Sequence, residues 1–377
     1  MTRLSLLAIL PLCLHGQPLP PGQIIDQVIC NSNPSQSYAL YLPSNYTPAR
    51  QWSVIFAFDP RARGRMPVER FRAAAEEYGY ILAGSNNSRN SDPQATAAAL
   101  PAISSDVAAR FSVDPNRVYL AGMSGGARVA LGVALSAKSV AGVIASAAGY
   151  PDSKPRRRVS FVLYATAGSE DFNFYELSKL DQALETPHRL QVFDGGHGWP
   201  PEEVARSTVE WLEIQAMRSG LRPRDEALIA SLFERRMAGI RDLTEGAALC
   251  LSLGHMVADF EGLRDVAGLR TQAAELRRQK LVKKELKLAA DDLEHEEKLM
   301  IEISTLERGL DDPSTRASSL QQLRRRLTEV SRQAGSPDDS PSRRMARRVL
   351  SGLRAGAAEG RKDPQYRQLL EELRPRN

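Results

Sequence analysis

A chain of 377 residues that is 42% hydrophobic and 25% charged has the apolar content of a folded protein, which excludes wholesale disorder. Its three cysteines exclude a disulfide-rich miniprotein, and no apolar run approaches the roughly 18 residues of a membrane-spanning helix. The formal net charge of +5, from 50 basic and 45 acidic residues, is too slight and too dispersed for a nucleic-acid binder.

Residues 1–16 read MTRLSLLAILPLCLHG. Arg3 precedes an apolar stretch from Leu4 to Leu14, and the small Gly16 stands before the polar QPLPPG. This is the order of a secretory signal peptide, so the expectation is cleavage near Gly16 and a periplasmic or secreted protein. A lipoprotein signal at Cys13 fits less well, because Leu12 is bulky where a small residue is wanted. Removal of the leader leaves Cys30 and Cys250. Two buried free thiols are the preferred reading and a bridge between them the alternative.

From residue 17 to 219 short β-type runs alternate with amphipathic helical stretches. Strands are expected at 24–30, 37–42, 52–58, 80–84, 117–122, 141–146, 160–166 and 189–193. Helices are expected at 68–78, 96–111, 127–137, 175–184 and 202–218. Continuous apolar runs such as SVIFAF and GVIAS suit strands buried on both faces. The alternation predicts an α/β domain with a doubly wound, mostly parallel sheet. Only short turns join the first strands, which predicts an antiparallel edge there.

After about Gly220 the character changes. All three tryptophans lie behind, and charged residues rise from roughly 18% to roughly 35%. Apolar residues recur at three- and four-residue spacing, with breaks at Asp311–Pro313, Gly335–Pro341 and Asp363–Pro364. Residues 220–377 therefore read as an all-helical domain of five or six helices, one of them long. Residues 243–276 have the length of a tetratricopeptide helix pair without that repeat's Trp and Tyr signature. The basic runs RRR at 324–326 and RRMARR at 343–348 read as solvated helix faces, with contact to an anionic surface as the alternative.

The chemistry concentrates in RVYLAGMSGGARVALGVAL, residues 117–135. An apolar strand runs into Gly122-Met123-Ser124-Gly125-Gly126 and then into a helix, which is G-x-S-x-G in a strand–turn–helix context. Side chains at Gly122 or Gly126 would collide across so sharp a turn. Ser124 would stand at a helix N-terminus, where the dipole and the Gly125 N–H can stabilise negative charge. A serine needs a base held by an acid. Of five histidines, His15 belongs to the leader, His188 opens a strand, and His255 and His295 lie in the helical half. His197, in FDGGHGWPP after the last strand, is the candidate base. The preceding strand runs into AGSEDFNFYEL, which offers Asp171, with Glu170 as the alternate and Asp194 as a third candidate that better suits shaping the turn. The second oxyanion donor is expected after the third strand. There FAFDPRARGR carries Asp59-Pro60, and because proline has no N–H the donor would be that of Arg61. Arg61, Arg63 and Arg65 crowd the loop, either favouring anionic substrates or forming a solvated rim. Met123 and Trp199 are candidates for an apolar substrate wall, with a core role as the other reading of Trp199.

On GMSGG at 122–126, GSEDFN at 168–173 and GGHGWP at 195–200, residues 23–215 resemble the α/β-hydrolases. The nearest group is the small lidless esterases: phospholipase/carboxylesterase-like, polyhydroxybutyrate-depolymerase-like and feruloyl-esterase-like. The resemblance implies an eight-stranded, mostly parallel sheet and a Ser124–Asp171–His197 triad. The departure from it is Asp59-Pro60, where such esterases often carry His-Gly, and it does not extend to the helical half. Only PDSKPRRR separates two strands where many relatives insert a cap, so an open site for bulky or polymeric esters is expected. The overall expectation is an exported serine hydrolase of carboxylic esters that needs no metal or organic cofactor. A serine peptidase on the same fold is the enzymatic alternative. A catalytically silent scaffold acting on a protein partner through the helical half is the other.

Overall fold

A computed structural model describes residues 19–152, 154, 156–360 and 363–373. The expected leader, with its cleavage point near Gly16, lies outside the described residues. Eight strands form one sheet: β1 (Ile24–Ile29), β2 (Ser37–Tyr41), β3 (Trp52–Phe58), β4 (Tyr80–Ser85), β5 (Val113–Met123), β6 (Gly142–Ser146), β7 (Val162–Gly168) and β8 (His188–Phe193). Their order is β1-β2-β4-β3-β5-β6-β7-β8. β2 runs antiparallel to both β1 and β4, and every pairing from β4 to β8 is parallel. The antiparallel edge is as expected, but only the β1–β2 turn joins neighbours: the short β2–β3 connection passes over β4, which lies between them. β2, β3, β4 and β6 are buried at every position, which is why they read as unbroken apolar runs.

Helices α1 (Arg65–Tyr78) and α5 (Glu202–Ser219) cover one face of the sheet. Helices α2 (Pro93–Arg110), α3 (Gly125–Ser136) and α4 (Phe174–Ala183) cover the other. Parallel strands need such crossovers, and their alternation across the two faces buries both.

Beyond α5 the described residues hold α6 (Glu226–Ala238), α7 (Gly246–Phe260), α8 (Ala267–Arg278), α9 (Lys280–Arg308), α10 (Arg316–Ala334), α11 (Pro341–Glu359) and α12 (Pro364–Glu372). That is seven helices where five or six are expected. The extra boundary falls at Gln279, whose extended ψ of 142° separates α8 from the 29-residue α9. No glycine or proline marks it, so periodicity runs through the break. Apolar residues of α9–α12 form their own core around Leu323, Leu327, Leu350 and Tyr366.

α5 has two buried sides. Trp211 and Leu212 pack on the sheet, while Ile214 and Met217 pack with Ile229, Leu232, Met256 and Phe260 of α6 and α7. Asp259 of α7 is buried and accepts Trp211 Nε1 at 2.8 Å and Arg189 Nη2 at 2.7 Å, with Arg236 as a further partner. Cys30 and Cys250 are buried free thiols in separate clusters. Burial first, and the Asp106 carboxylate second, push the Cys30 thiol up to about 11, which keeps it protonated and unreactive at neutral pH.

Candidate active site

Ser124 sits between β5 and α3 with φ +53° and ψ −122°, a backbone conformation that costs a non-glycine residue roughly 1–3 kcal/mol. The turn is over-determined. The Ser124 N–H donates to Ser146 O at 2.8 Å, and its carbonyl accepts the N–H of Ala127 at 2.9 Å. A Cβ on Gly122 would lie 2.1 Å from Gly126 O, and one on Gly126 would lie 2.0 Å from Phe58 O. The motif glycines are thus required by backbone contact on both sides of the serine. Gly126→Ala must displace either the end of β3 or the start of α3. We expect a loss of about 1–3 kcal/mol or more in chemical denaturation, with impaired activity from a shifted Ser124.

The other catalytic candidates occupy the same edge of the sheet, at the C-terminal ends of parallel strands. Asp171 follows β7 and is fully buried. Its Oδ1 lies 2.9 Å from His197 Nδ1 and accepts the Asn173 N–H at 2.8 Å. Its Oδ2 is buried without a protein hydrogen-bond partner, an unsatisfied acceptor of the kind that native proteins tolerate at working sites. The acid and histidine loops are stitched together, with Ser169 N–H donating to Phe193 O and Glu170 N–H to Gly195 O, both at 2.8 Å. Asn173 Nδ2 donates to Ala147 O at 2.7 Å, which ties the acid loop to the strand whose Ser146 carbonyl holds Ser124. Phe172 stacks on the His197 ring, with centroids 4.0 Å apart. Arg128 of α3 grips Glu176 of α4 through two 2.8 Å bonds, so the helices behind the serine and the acid are joined. Among the described residues no hydrogen bond joins Ser124 to His197. Such contacts commonly tighten only when substrate is bound.

Glu170 faces the other way, onto Arg347 at 2.9 Å, and so is not the partner of His197. Asp194 accepts Ser169 Oγ at 3.2 Å, a turn-shaping role. His188 bonds Thr186 O at 2.7 Å.

Several expectations about the rim need correction. The Arg61 N–H is donated to Asp59 Oδ1 at 2.9 Å, so the expected second oxyanion donor already has a partner. Asp59, fully buried, also takes Arg63 Nε at 2.9 Å and Trp199 Nε1 at 2.9 Å. Trp199 is 8% exposed and packs edge-on against Phe71, so its indole ties the histidine loop to the third-strand loop instead of forming a wall. Met123 is 6% exposed in the same core and forms no wall either. Of the three arginines, Arg63 is matched by Asp59 and Arg65 by Asp26 and Glu69. Residues that sequence reasoning misses are Phe172, the hydrogen-bonding role of Asp59, and Asn90, whose carboxamide lies against Gly125, where a Cβ would be 1.8 Å from Oδ1. A long-range contact of this kind leaves no local signal in the chain.

The site is not flanked by solvent alone. A cleft of about 280 Å³ lies between the acid loop and helices α9 and α11, lined by Phe172, Asn173, Met300, Ile303, Val349 and Leu353 among others. A larger cavity, about 470 Å³ between β8 and α5–α7, contains Arg189, Arg235 and Arg236 already paired with Asp259 and Glu210. Among the described residues no cluster of His, Cys, Asp and Glu could hold a metal ion, and no helix is long and apolar enough to cross a membrane.

The strand order, the antiparallel second strand and the serine on a strand-to-helix turn define this as the α/β-hydrolase fold, extended by a helical C-terminal part. No protein-family model matches the sequence, and no curated protein is similar to it in sequence. Solved structures similar in fold include an S-formylglutathione hydrolase from Staphylococcus aureus, at 12% identity and TM-score 0.40, over 52% of this chain and 98% of that one. A thermophilic esterase from the planctomycete Thermogutta terrifontis aligns at 16% identity and TM-score 0.37, over 55% of this chain and 97% of that one. Dipeptidyl peptidase 4 from Porphyromonas gingivalis aligns at 15% identity and TM-score 0.37, over 51% of this chain and 35% of that one. The fold assignment rests on the sheet and the turn, since likenesses this distant leave the chemistry open.

Proposed function

We propose that the protein is a serine hydrolase that cleaves carboxylic esters through Ser124, His197 and Asp171 by way of an acyl-enzyme. The observation that carries this reading is the buried Asp171 carboxylate 2.9 Å from His197 Nδ1, on loops tied to the strained turn at Ser124. With Nδ1–H donated to Asp171, Nε2 of His197 is the basic nitrogen. It takes the proton of Ser124 as the hydroxyl oxygen attacks the ester carbonyl, then passes that proton to the departing alcohol as the ester C–O bond breaks. Water, deprotonated by the same nitrogen, attacks the acyl-serine; the bond from the Ser124 oxygen to the acyl carbon breaks, the acid leaves, and His197 returns the proton to that oxygen. The oxyanion is met by the Gly125 N–H and the N-terminus of α3. The Arg61 N–H joins it only by exchanging its Asp59 partner. Phe172 over the imidazole restricts ring rotation between the two proton transfers.

In this reading residues 17–219 carry the chemistry, and the leader at 1–16 places the enzyme outside the cytoplasm. The short 151–158 connection leaves room for no inserted cap, which suits a bulky or polymeric ester. Short p-nitrophenyl esters compared with an aminopeptide anilide decide the substrate class. Turnover of the esters is expected, and turnover of the anilide alone would make the protein a peptidase.

A further inference from the structure

The run RRMARR at 343–348 reads as a solvated basic face, yet in α11 Arg348 turns inward and Arg343 and Arg347 both reach toward Glu170. Arg348 is 7% exposed. Its Nε donates to Glu296 Oε1 of α9 at 3.0 Å, a second arm meets Glu296 Oε2, and Nη1 donates to Ser169 O at 2.8 Å. The guanidinium also lies 4.3 Å from the Phe174 ring centre. Arg347 reaches Glu170 at 2.9 Å and is itself held by Ala334 O at 3.0 Å. The backbone of α11 lies so close to Phe172 that a Cβ on Gly352 would stand 3.1 Å from the Phe172 Cβ.

Residues 169, 170 and 172 therefore touch α11, while the N–H groups of Ser169 and Glu170 hold the histidine loop. Asp171 sits among them. The buried Glu296 supplies the countercharge that lets an arginine lie here, and the two-armed pairing leaves one nitrogen free to bind the Ser169 carbonyl. A lysine ammonium has no such fork.

We infer that Arg348, seated on Glu296, is a positioning residue for the proposed reaction, so that α9 and α11 are a working part of the active site. The inference rests on the assignment of Ser124, Asp171 and His197 above. Displacement of the Ser169 carbonyl shifts the Asp171–His197 pair, and misplacement of a catalytic group by about 1 Å can cost on the order of 100-fold in rate.

The test uses the full-length protein with a short p-nitrophenyl ester. The paired variant Arg348→Met with Glu296→Met removes both buried charges at similar volume, an exchange that buried ion pairs often tolerate. It is expected to unfold near the wild-type midpoint, with kcat lowered about tenfold or more and KM within about twofold. Arg348→Lys keeps the charge, and a smaller kcat loss of roughly threefold or more is expected. A folded paired variant with wild-type kcat, or with only KM raised, overturns the inference. Should the paired variant not fold, an unchanged kcat in Arg348→Lys overturns it. A wild-type protein that neither hydrolyses esters nor is labelled at Ser124 instead removes the reading beneath it.

Discussion

Ser124→Ala is expected to lower ester turnover by about 10,000- to 1,000,000-fold while leaving the folded structure in place. The size follows from the role: without the hydroxyl no acyl-enzyme forms, and only binding and oxyanion stabilisation remain. The fold survives because the bonds that hold the turn are backbone bonds, from Ser124 N–H to Ser146 O and from Ala127 N–H to Ser124 O. Ser124→Gly should be equally inactive yet more stable by about 1 kcal/mol, since glycine adopts φ +53° without the steric cost that serine bears. Circular dichroism and a denaturation midpoint separate the two effects. An alanine variant that retained even a tenth of wild-type turnover would place the nucleophile elsewhere.

Removal of residues 220–377 is expected to give an insoluble or unfolded chain, although composition changes sharply there. The deletion uncovers Ile214 and Met217 on the outer side of α5. It also strips the buried Arg189 of Asp259, and Trp211 Nε1 of the same carboxylate. Glu213, fully buried, loses Arg222 and keeps Arg117 and Tyr80. Breaking one buried ion pair by deleting a partner costs about 3–5 kcal/mol. The whole stability of a domain is only about 5–15 kcal/mol. Soluble yield and a thermal melt check the expectation. A soluble, cooperative fragment ending near Arg218 with full ester turnover would show instead that the helices are dispensable.

The sheet was legible because strands such as SVIFAF and GVIAS are buried on both faces and so carry their signal in composition alone. The serine turn was legible because its glycines are fixed by steric contact with Phe58 and across the turn, a local demand that local sequence must meet. What escaped was set by partners distant in the chain. Nothing in DPRAR shows that the Arg61 amide is already bound by Asp59, or that Trp199, 140 residues on, donates to the same carboxylate. RRMARR looks like a solvated face because helical periodicity cannot reveal that Glu296 waits, buried, on another helix. The break at Gln279 escaped because an extended ψ there needs no special residue.

Covalent labelling of the intact protein by a fluorophosphonate, read by whole-protein mass and by mapping the modified peptide, tests the role of Ser124 most directly. The expected result is one label per chain, on Ser124, lost in Ser124→Ala and slowed in Asp171→Asn. Ester turnover by a protein that takes no label, or a label that maps to another residue and persists in Ser124→Ala, would contradict it.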